Sequence, residues 1–285
     1  MEKIGYVLKL MRPKQWIKNF FVFGALLFSN SFLNFNAIMK SIMVFIVFSL
    51  ASSTVYVLND IVDIEKDRAH PKKCKRPLAS GKLKIYEALI AGLLIGMIAI
   101  GISLKINISV TIVIILYFLN NIIYSFKVKN IVLLDVCSIA IGFVLRVIAG
   151  SLAISVPVSG WIILCTFFIS LFLGLGKRKG EIKLLKNDAK SHRKILSDYN
   201  NSSLDKLINM VLTCTVVFYS IYAVVGTENE YMIFTVIFVI YGIFRYTYLM
   251  EVKDITSSPT EVLTSDKALM INIVLWVITC MLVLV

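Results

Sequence analysis

The sequence predicts an all-α integral membrane protein of nine transmembrane helices, and three observations carry that prediction. Of 285 residues, 58 % are hydrophobic and only 16 % charged, with a mean hydropathy of +0.84. That composition lies outside the range of soluble domains. Apolar runs recur at about 20–36, 38–58, 86–104, 108–126, 132–153, 159–176, 208–225, 231–249 and 268–285, most of them close to the length that crosses a bilayer. The cations are sorted: on this nine-span topology, every Lys and Arg of the 30 except Lys40, Lys105, Arg146 and Arg245 falls on one side. One span more or fewer would scramble the sorting. By the positive-inside rule the cationic side is cytoplasmic, so the N-terminus is expected inside and the C-terminus outside. The formal charge of +13 is thereby assigned to membrane orientation and to anionic ligands at one face, and not to nucleic acid.

In chain order, residues 1–19 carry Lys3, Lys9, Arg12, Lys14 and Lys18 among apolar side chains, with Trp16 near the end. They read as an amphipathic segment in the membrane interface. The first span is short. The fifth contains Gly142 and Gly150, which permit close helix approach. Outer connections are short, whereas two cytoplasmic loops, about 59–85 and 177–207, are long enough to expect function there. The chain reads as one domain, 1–285, with no linker or low-complexity stretch and no cleavable signal peptide at its start.

The five cysteines form no CxxC pair, and four lie in apolar segments, where cysteine behaves as a small hydrophobe. His70 and His192 lack a second ligand at metal spacing. No GxGxxG, Walker loop, HExxH or GxSxG occurs.

The chemistry is expected at the end of span 2, in Asn59-Asp60-Ile61-Val62-Asp63-Ile64-Glu65-Lys66-Asp67, followed by Lys72-Lys73-Cys74-Lys75-Arg76-Pro77. Asn59, Asp63 and Asp67 stand at i, i+4 and i+8, and Asp60 shares their neighbourhood, so a continuing helix would line their oxygens on one stripe. Acids at a membrane edge are costly unless cations neutralise them. Hard oxygen ligands suit Mg²⁺, which binds substrate phosphates through one or two carboxylates and its own waters. The cations downstream suit the same phosphates. A solvated charged loop is the plainer alternative; the spacing, the leading Asn and the position at a helix end weigh against it.

The second long loop opens with Gly176-Lys177-Arg178-Lys179-Gly180-Glu181. Its cations could grip phosphate, or simply orient the span. Glu181, Asp198 or Asp205 could add a carboxylate. Asp135 and Arg146 lie on one face of span 5, three turns apart, Arg146 about 16 Å deeper. An ionised group at that depth faces a cavity or pairs with a carboxylate on a neighbouring helix. Asn120, Asn121 and Tyr124 end span 4, just before Lys127.

Asn59-Asp60-x-x-Asp63-x-x-x-Asp67 resembles the first aspartate-rich motif of the UbiA superfamily of intramembrane prenyltransferases, and Lys75-Arg76-Pro77-Leu78 resembles that family's basic element. Arg12-Pro13-Lys14-Gln15-Trp16-Ile17-Lys18-Asn19, Leu134-Asp135-Val136, Gly142 to Arg146, Leu175 to Glu181, and Tyr246 with the loop Pro259 to Asp266 resemble the branch of decaprenyl-phosphate phosphoribosyltransferases. The resemblance implies nine helices around a central cavity open to the cytoplasmic face. Family members acting on aromatic acceptors carry a second DxxxD-type motif, where this chain has Lys177-Arg178-Lys179-Gly180-Glu181. Extra cations fit a donor with an extra phosphate.

The resemblance thus implies transfer of 5-phosphoribose from phosphoribosyl diphosphate to a polyprenyl phosphate. Asn59, Asp60, Asp63 and Asp67 are the expected Mg²⁺ holders, with Asp60, Asp63 and Asp67 as the catalytic set. Lys14, Arg76, Tyr124, Lys127, Arg146, Lys177, Arg178 and Glu181 are the expected substrate contacts. An anionic acceptor needs no strong general base, which agrees with the lack of a placed histidine. Two alternatives remain: joining a polyprenyl diphosphate to an aromatic acceptor, and transport of an anionic lipid or solute. Transport leaves the metal-spaced acids unexplained.

Overall fold

The structure, a computed structural model, describes residues 2–69, 73–185, 199–251, 262 and 265–285. His70, Lys72, His192, Asp198 and Pro259, named above, lie outside the described residues.

Among the described residues the fold is entirely helical. α1 is Glu2–Met11 and α2 is Gly24–Phe28, with a 3₁₀ segment, Pro13–Phe23, between them. The longer helices are α3 (Phe35–Val62), α5 (Ile85–Ile106), α6 (Ile108–Phe126), α7 (Leu134–Ala153), α8 (Gly160–Leu185), α9 (Asn201–Val225), α10 (Thr235–Glu251) and α11 (Lys267–Leu284). The short α4 is Ile64–Ala69. Among the described residues eight helices are long and apolar enough to cross a membrane, and they match the predicted spans from the second onward. Side-chain caps fix several starts. Asn34 accepts from the backbone N–H groups of Asn36 and Ala37, Asn107 from Val110, and Asp266 from Leu269, each satisfying donors the helix leaves open.

Each long helix packs on its chain neighbours, and α11 returns to touch α2, so the helices close a ring. The 3₁₀ segment lies against both α3 and α7. Those two are the innermost crossings, with 56 % and 61 % of their apolar windows buried, against 17–33 % for the other six. Buried cores form on each side. One gathers Phe48, Ile114 and Tyr117 between α3, α6 and α7, and the other Phe172, Leu204 and Tyr246 between α8, α9 and α10. The outward faces of α5 and α6 expose Leu89, Leu93, Met97, Ile112 and Leu119, as lipid-facing surfaces do.

The first predicted span differs from expectation. In place of a continuous α-helix at 20–36, the chain runs as 3₁₀ from Pro13 and as α-helix from Gly24, so the interfacial stretch ends near Arg12 and not at residue 19. The 3₁₀ form rises further per residue, and together the two pieces reach about 30 Å, the thickness of the hydrocarbon layer. Three residues per turn also gives the segment three faces. Trp16, Asn19 and Val22 form one: Trp16 Nε1 donates to Ser53 Oγ (3.2 Å), Asn19 Nδ2 to Ser49 Oγ (3.1 Å), and Val22 meets α7 at Gly150. Lys14, Ile17 and Phe20 form the second, on which Lys14 and Phe20 are exposed. Gln15, Lys18 and Phe21 form the third, Phe21 packing edge-on against Phe143 of α7 at 5.0 Å. An α-helical period would have put Lys14 and Lys18 on one face.

The two long loops also begin later than expected. α3 runs to Val62 and α8 to Leu185, which carries Asn59, Asp60 and the whole Lys177–Glu181 stretch on helices.

Candidate active site

The acid-rich stretch folds as a bent helix. α3 ends at Val62, its capping residue Asp63 departs from helical conformation, and α4 resumes at once. Asp63 N–H donates to the Asn59 carbonyl (2.9 Å) and Asp67 N–H to the Asp63 carbonyl (2.8 Å), so the helical path survives the bend. The four oxygen-bearing side chains therefore share one end of the bundle without lying on one straight stripe.

Each acid is met by a cation. Asp60 and Asp67 are both buried. Arg76 Nη1 sits between them, 3.0 Å from Asp60 Oδ1 and 2.5 Å from Asp67 Oδ2. Arg12 Nη2 closes on the same Asp60 oxygen. Asp63, only partly buried, turns away to Lys129 Nζ at 2.8 Å, with Lys66 at 4.0 Å. Ser125 Oγ donates to Asn59 Oδ1. Arg12 itself adopts a left-handed backbone (φ 53°), costly for a residue with a Cβ, immediately before the turn into the 3₁₀ segment. Its guanidinium also lies over the Tyr56 ring at 5.0 Å. Burial pulls the Arg12 pKa down and Asp60 opposes that.

Among the described residues no three Asp, Glu, His or Cys side chains converge as a ready-made metal site. The donor set nevertheless fits a hard divalent cation. Two buried carboxylates already share one positive nitrogen, and a metal bound by one or two carboxylates completes its shell with water and substrate phosphate. Arg76 itself is about a third exposed.

The second basic stretch is placed differently from its expected role. Arg178, with 1 % of its side chain exposed, donates to Asp135 Oδ2 (2.7 Å), Glu181 Oε2 (2.6 Å) and the Tyr124 hydroxyl (3.5 Å). Tyr199 Oη donates to Asp135 Oδ1 at 2.9 Å and accepts from Leu133 N–H at 2.9 Å. Burial pushes the Tyr199 phenol up to about 12, so it stays a donor to Asp135. The geometry makes Asp135, Arg178, Glu181, Tyr124 and Tyr199 a buried strut joining α6, α7 and α8 to the start of α9. A guanidinium with 1 % of its side chain exposed and its charge already matched by two carboxylates offers little to a phosphate. Lys177 remains 43 % exposed, 3.9 Å from Glu181.

Arg146 is buried at mid-depth, as its position predicts, but finds no carboxylate among its partners. Nε donates to Asn19 Oδ1 (2.8 Å), Nη1 to the Gly142 carbonyl (2.6 Å) and Nη2 to the Tyr117 hydroxyl (3.2 Å). The faces of Tyr117, Phe48 and Phe143 surround it at 4.9–5.3 Å.

Lys14 and Lys127 point outward and are exposed. Lys127 caps α6, and the 3₁₀ turn Val128–Asn130 that follows folds Lys129 back onto Asp63. Arg12 and Lys129 are thus site residues that spacing alone did not single out. For Arg12, its place beside Pro13, where the chain must bend, was the available signal. For Lys129 there was none, since it stands two residues from an equivalent cation.

The chain matches the UbiA prenyltransferase family over residues 19–284. It is 32 % identical to a decaprenyl-phosphate phosphoribosyltransferase of Mycolicibacterium smegmatis, covering 96 % of this chain and 91 % of the relative. It is 33 % identical to one of Corynebacterium glutamicum, covering 95 % and 84 %. The fold is similar to that of a UbiA homolog from Archaeoglobus fulgidus bound to GPP and Mg²⁺, with a TM-score of 0.76 and 18 % identity over 98 % of this chain and 99 % of that one. By matched length, sequence and fold, this multi-pass membrane chain belongs to the UbiA prenyltransferase family.

Proposed function

We propose that the protein is an intramembrane transferase that moves 5-phosphoribose from phosphoribosyl diphosphate to a polyprenyl phosphate, releasing diphosphate. The observation that carries this reading is identity above 30 %, over nearly the full length, to enzymes named decaprenyl-phosphate phosphoribosyltransferase. The site agrees in chemistry: one acid-lined rim flanked by Arg12, Arg76 and Lys129, and a second basic stretch in place of a second acidic motif.

In this reading Asp60, Asp63, Asp67 and Asn59 hold a divalent cation, Mg²⁺ by hardness, which when bound neutralises charge on the leaving diphosphate. Arg76, Arg12 and Lys129 are drawn from carboxylate to phosphate oxygens as the donor enters, fixing its diphosphate at the rim. A phosphate oxygen of the acceptor bonds to C1 of the ribose as the C1–O bond to diphosphate breaks, through a transition state with oxocarbenium character. The acceptor arrives already ionised, so no side chain has to remove a proton. Its isoprenoid tail lies against lipid, and the rim faces the cytoplasm by the charge asymmetry.

The test is incubation of membranes containing the protein with radiolabelled phosphoribosyl diphosphate and polyprenyl phosphate. A labelled lipid that vanishes with chelator and returns with Mg²⁺ is the expected result. Product formed only from a prenyl diphosphate and an aromatic acceptor would overturn the proposal.

A further inference from the structure

Lys18 is the one cation of the N-terminal segment that the 3₁₀ pitch turns toward the interior, and it sits about 12 Å along that segment from Arg12. Its side chain shares the face of the segment on which Phe21 packs against Phe143 of α7, and it is only partly exposed. Among the described residues it makes no hydrogen bond and no ion pair. The charges that act on its ammonium are Lys177, Arg146 and Arg12, all of its own sign. Arg12 is engaged by Asp60 at the rim, and Lys177 has Glu181 at 3.9 Å. Arg146 keeps no acid: its three hydrogen bonds go to an amide, a carbonyl and a phenol, which leaves two of its five N–H groups uncommitted. Asn19, the neighbour of Lys18 in sequence, is one of the three groups that hold Arg146 in place. The Tyr56 hydroxyl, also without a hydrogen-bond partner among the described residues, stands in the field of both Arg12 and Arg146.

Two cations inside an apolar bundle with no acid beside them among the described residues are expensive to retain, and the expense is relieved when an anion arrives. We propose that Lys18 and Arg146, with Tyr56, form a second anion site deeper in the bundle than the acid-lined rim, and that it takes a phosphomonoester. The choice of ligand rests on the phosphoribosyl-transfer reading. Both substrates there carry such a group, the 5-phosphate of the donor and the phosphate of the lipid acceptor, whereas a prenyl diphosphate and an aromatic acceptor need not. The rim holds the diphosphate and the deeper pair holds the monoester, so Lys18 sets which substrates can sit across the two.

The experiment uses the full chain in nanodiscs, with Lys18→Met and Lys18→Gln as loss variants and Lys18→Arg as the conservative one, all checked by melting temperature. Two probes are titrated by ligand-induced shift of that temperature: ribose 5-phosphate for the donor's monoester and geranyl phosphate for the acceptor's. A charge-assisted hydrogen bond is lost, so the affinity for one probe falls about tenfold or more in both loss variants and is largely kept in Lys18→Arg. Affinity for inorganic diphosphate with Mg²⁺ stays within about twofold, since the rim is untouched. Steady-state kinetics name the source: a raised KM for phosphoribosyl diphosphate alone assigns the donor's 5-phosphate, and a raised KM for the lipid alone assigns the acceptor. Unchanged affinity for both probes in the loss variants overturns the site whether or not the wild type transfers phosphoribose. A wild type that binds a probe through Lys18 but makes no phosphoribosyl lipid overturns the functional reading and leaves the site standing.

Discussion

At the scale of residues, the candidate site turns on Arg76, which bridges the buried carboxylates Asp60 and Asp67 through one nitrogen. Replacing Asp67 with Asn keeps shape and hydrogen bonding but removes one of the two charges available to a divalent ion. Asp67→Asn is expected to lower kcat for labelled-lipid formation by about 100-fold or more, while the melting temperature in detergent moves by only a few degrees. A variant that turns over at the wild-type rate would show that Asp67 serves Arg76 and not a metal. The acids themselves were legible, because only carboxylates at helical spacing put that much oxygen at the end of an apolar run. Their cationic partners were not. Lys127 and Lys129 are alike in sequence, and the 3₁₀ turn between α6 and α7 decides that Lys129 reaches Asp63. Lys14 and Lys18 are alike too, and the pitch of Pro13–Phe23 decides which of them faces in.

At the scale of elements, two contacts fix how the inner helices stand. The first is the strut of Asp135 and Arg178 between α7 and α8, both side chains essentially without exposure. Arg178→Met leaves Asp135 charged and buried, and is expected to destabilise the protein by about 3–5 kcal/mol. Asp135→Leu combined with Arg178→Met removes both charges and is expected to recover most of that loss, which thermal melts of the single and double variants would measure. Equal destabilisation in the two would mean that Glu181 and Tyr199 carry the strut. The second contact is Gly150 of α7 against the 3₁₀ segment, where an added Cβ would stand 2.1 Å from the Val22 carbonyl oxygen. No side chain can give way there, because the obstacle is backbone. Gly150→Ala must push α7 from the segment, at a cost of about 1–3 kcal/mol, and must loosen the Arg146–Asn19 bond one turn away. A lower melting temperature with a raised substrate KM is the expected result; an unchanged melt would mean the segment shifts without cost. A close approach at Gly150 was readable from the sequence, whereas Gly142, expected to do the same, has only ordinary contacts at 3.7 Å or more. The continuation of α8 through Lys177–Glu181 was not, since a run of cations after an apolar span reads equally as a loop or as another helical turn.

At the scale of the whole molecule, the eight long helices were plain from hydropathy, and the open point is the first crossing. Hydropathy blurred it because Lys14, Lys18 and Asn19 interrupt the apolar run, although Asn19 is fully buried against Ser49 and Arg146. Contacts at its two ends argue that it crosses. Near its start, Lys3 pairs with Glu87 at 2.6 Å and Arg12 with Asp60, both at the acid-bearing end of the bundle. At its finish, the Phe28 ring meets Tyr222, close to the other end of α9, at 5.5 Å. Nine crossings put the termini on opposite sides and keep Lys3, Lys9, Arg12, Lys14 and Lys18 with the other cations. Eight would move those five charges across the membrane, against the orienting bias of every other loop. A green fluorescent protein fused before Met1 is therefore expected to fluoresce, as it does only when retained inside, and alkaline phosphatase fused after Val285 to be active, as it is only when exported. A dark N-terminal fusion beside an active C-terminal one would reduce the count to eight, place Arg12 on the far side from the cytoplasm, and remove the rim's access to a water-soluble diphosphate made inside the cell.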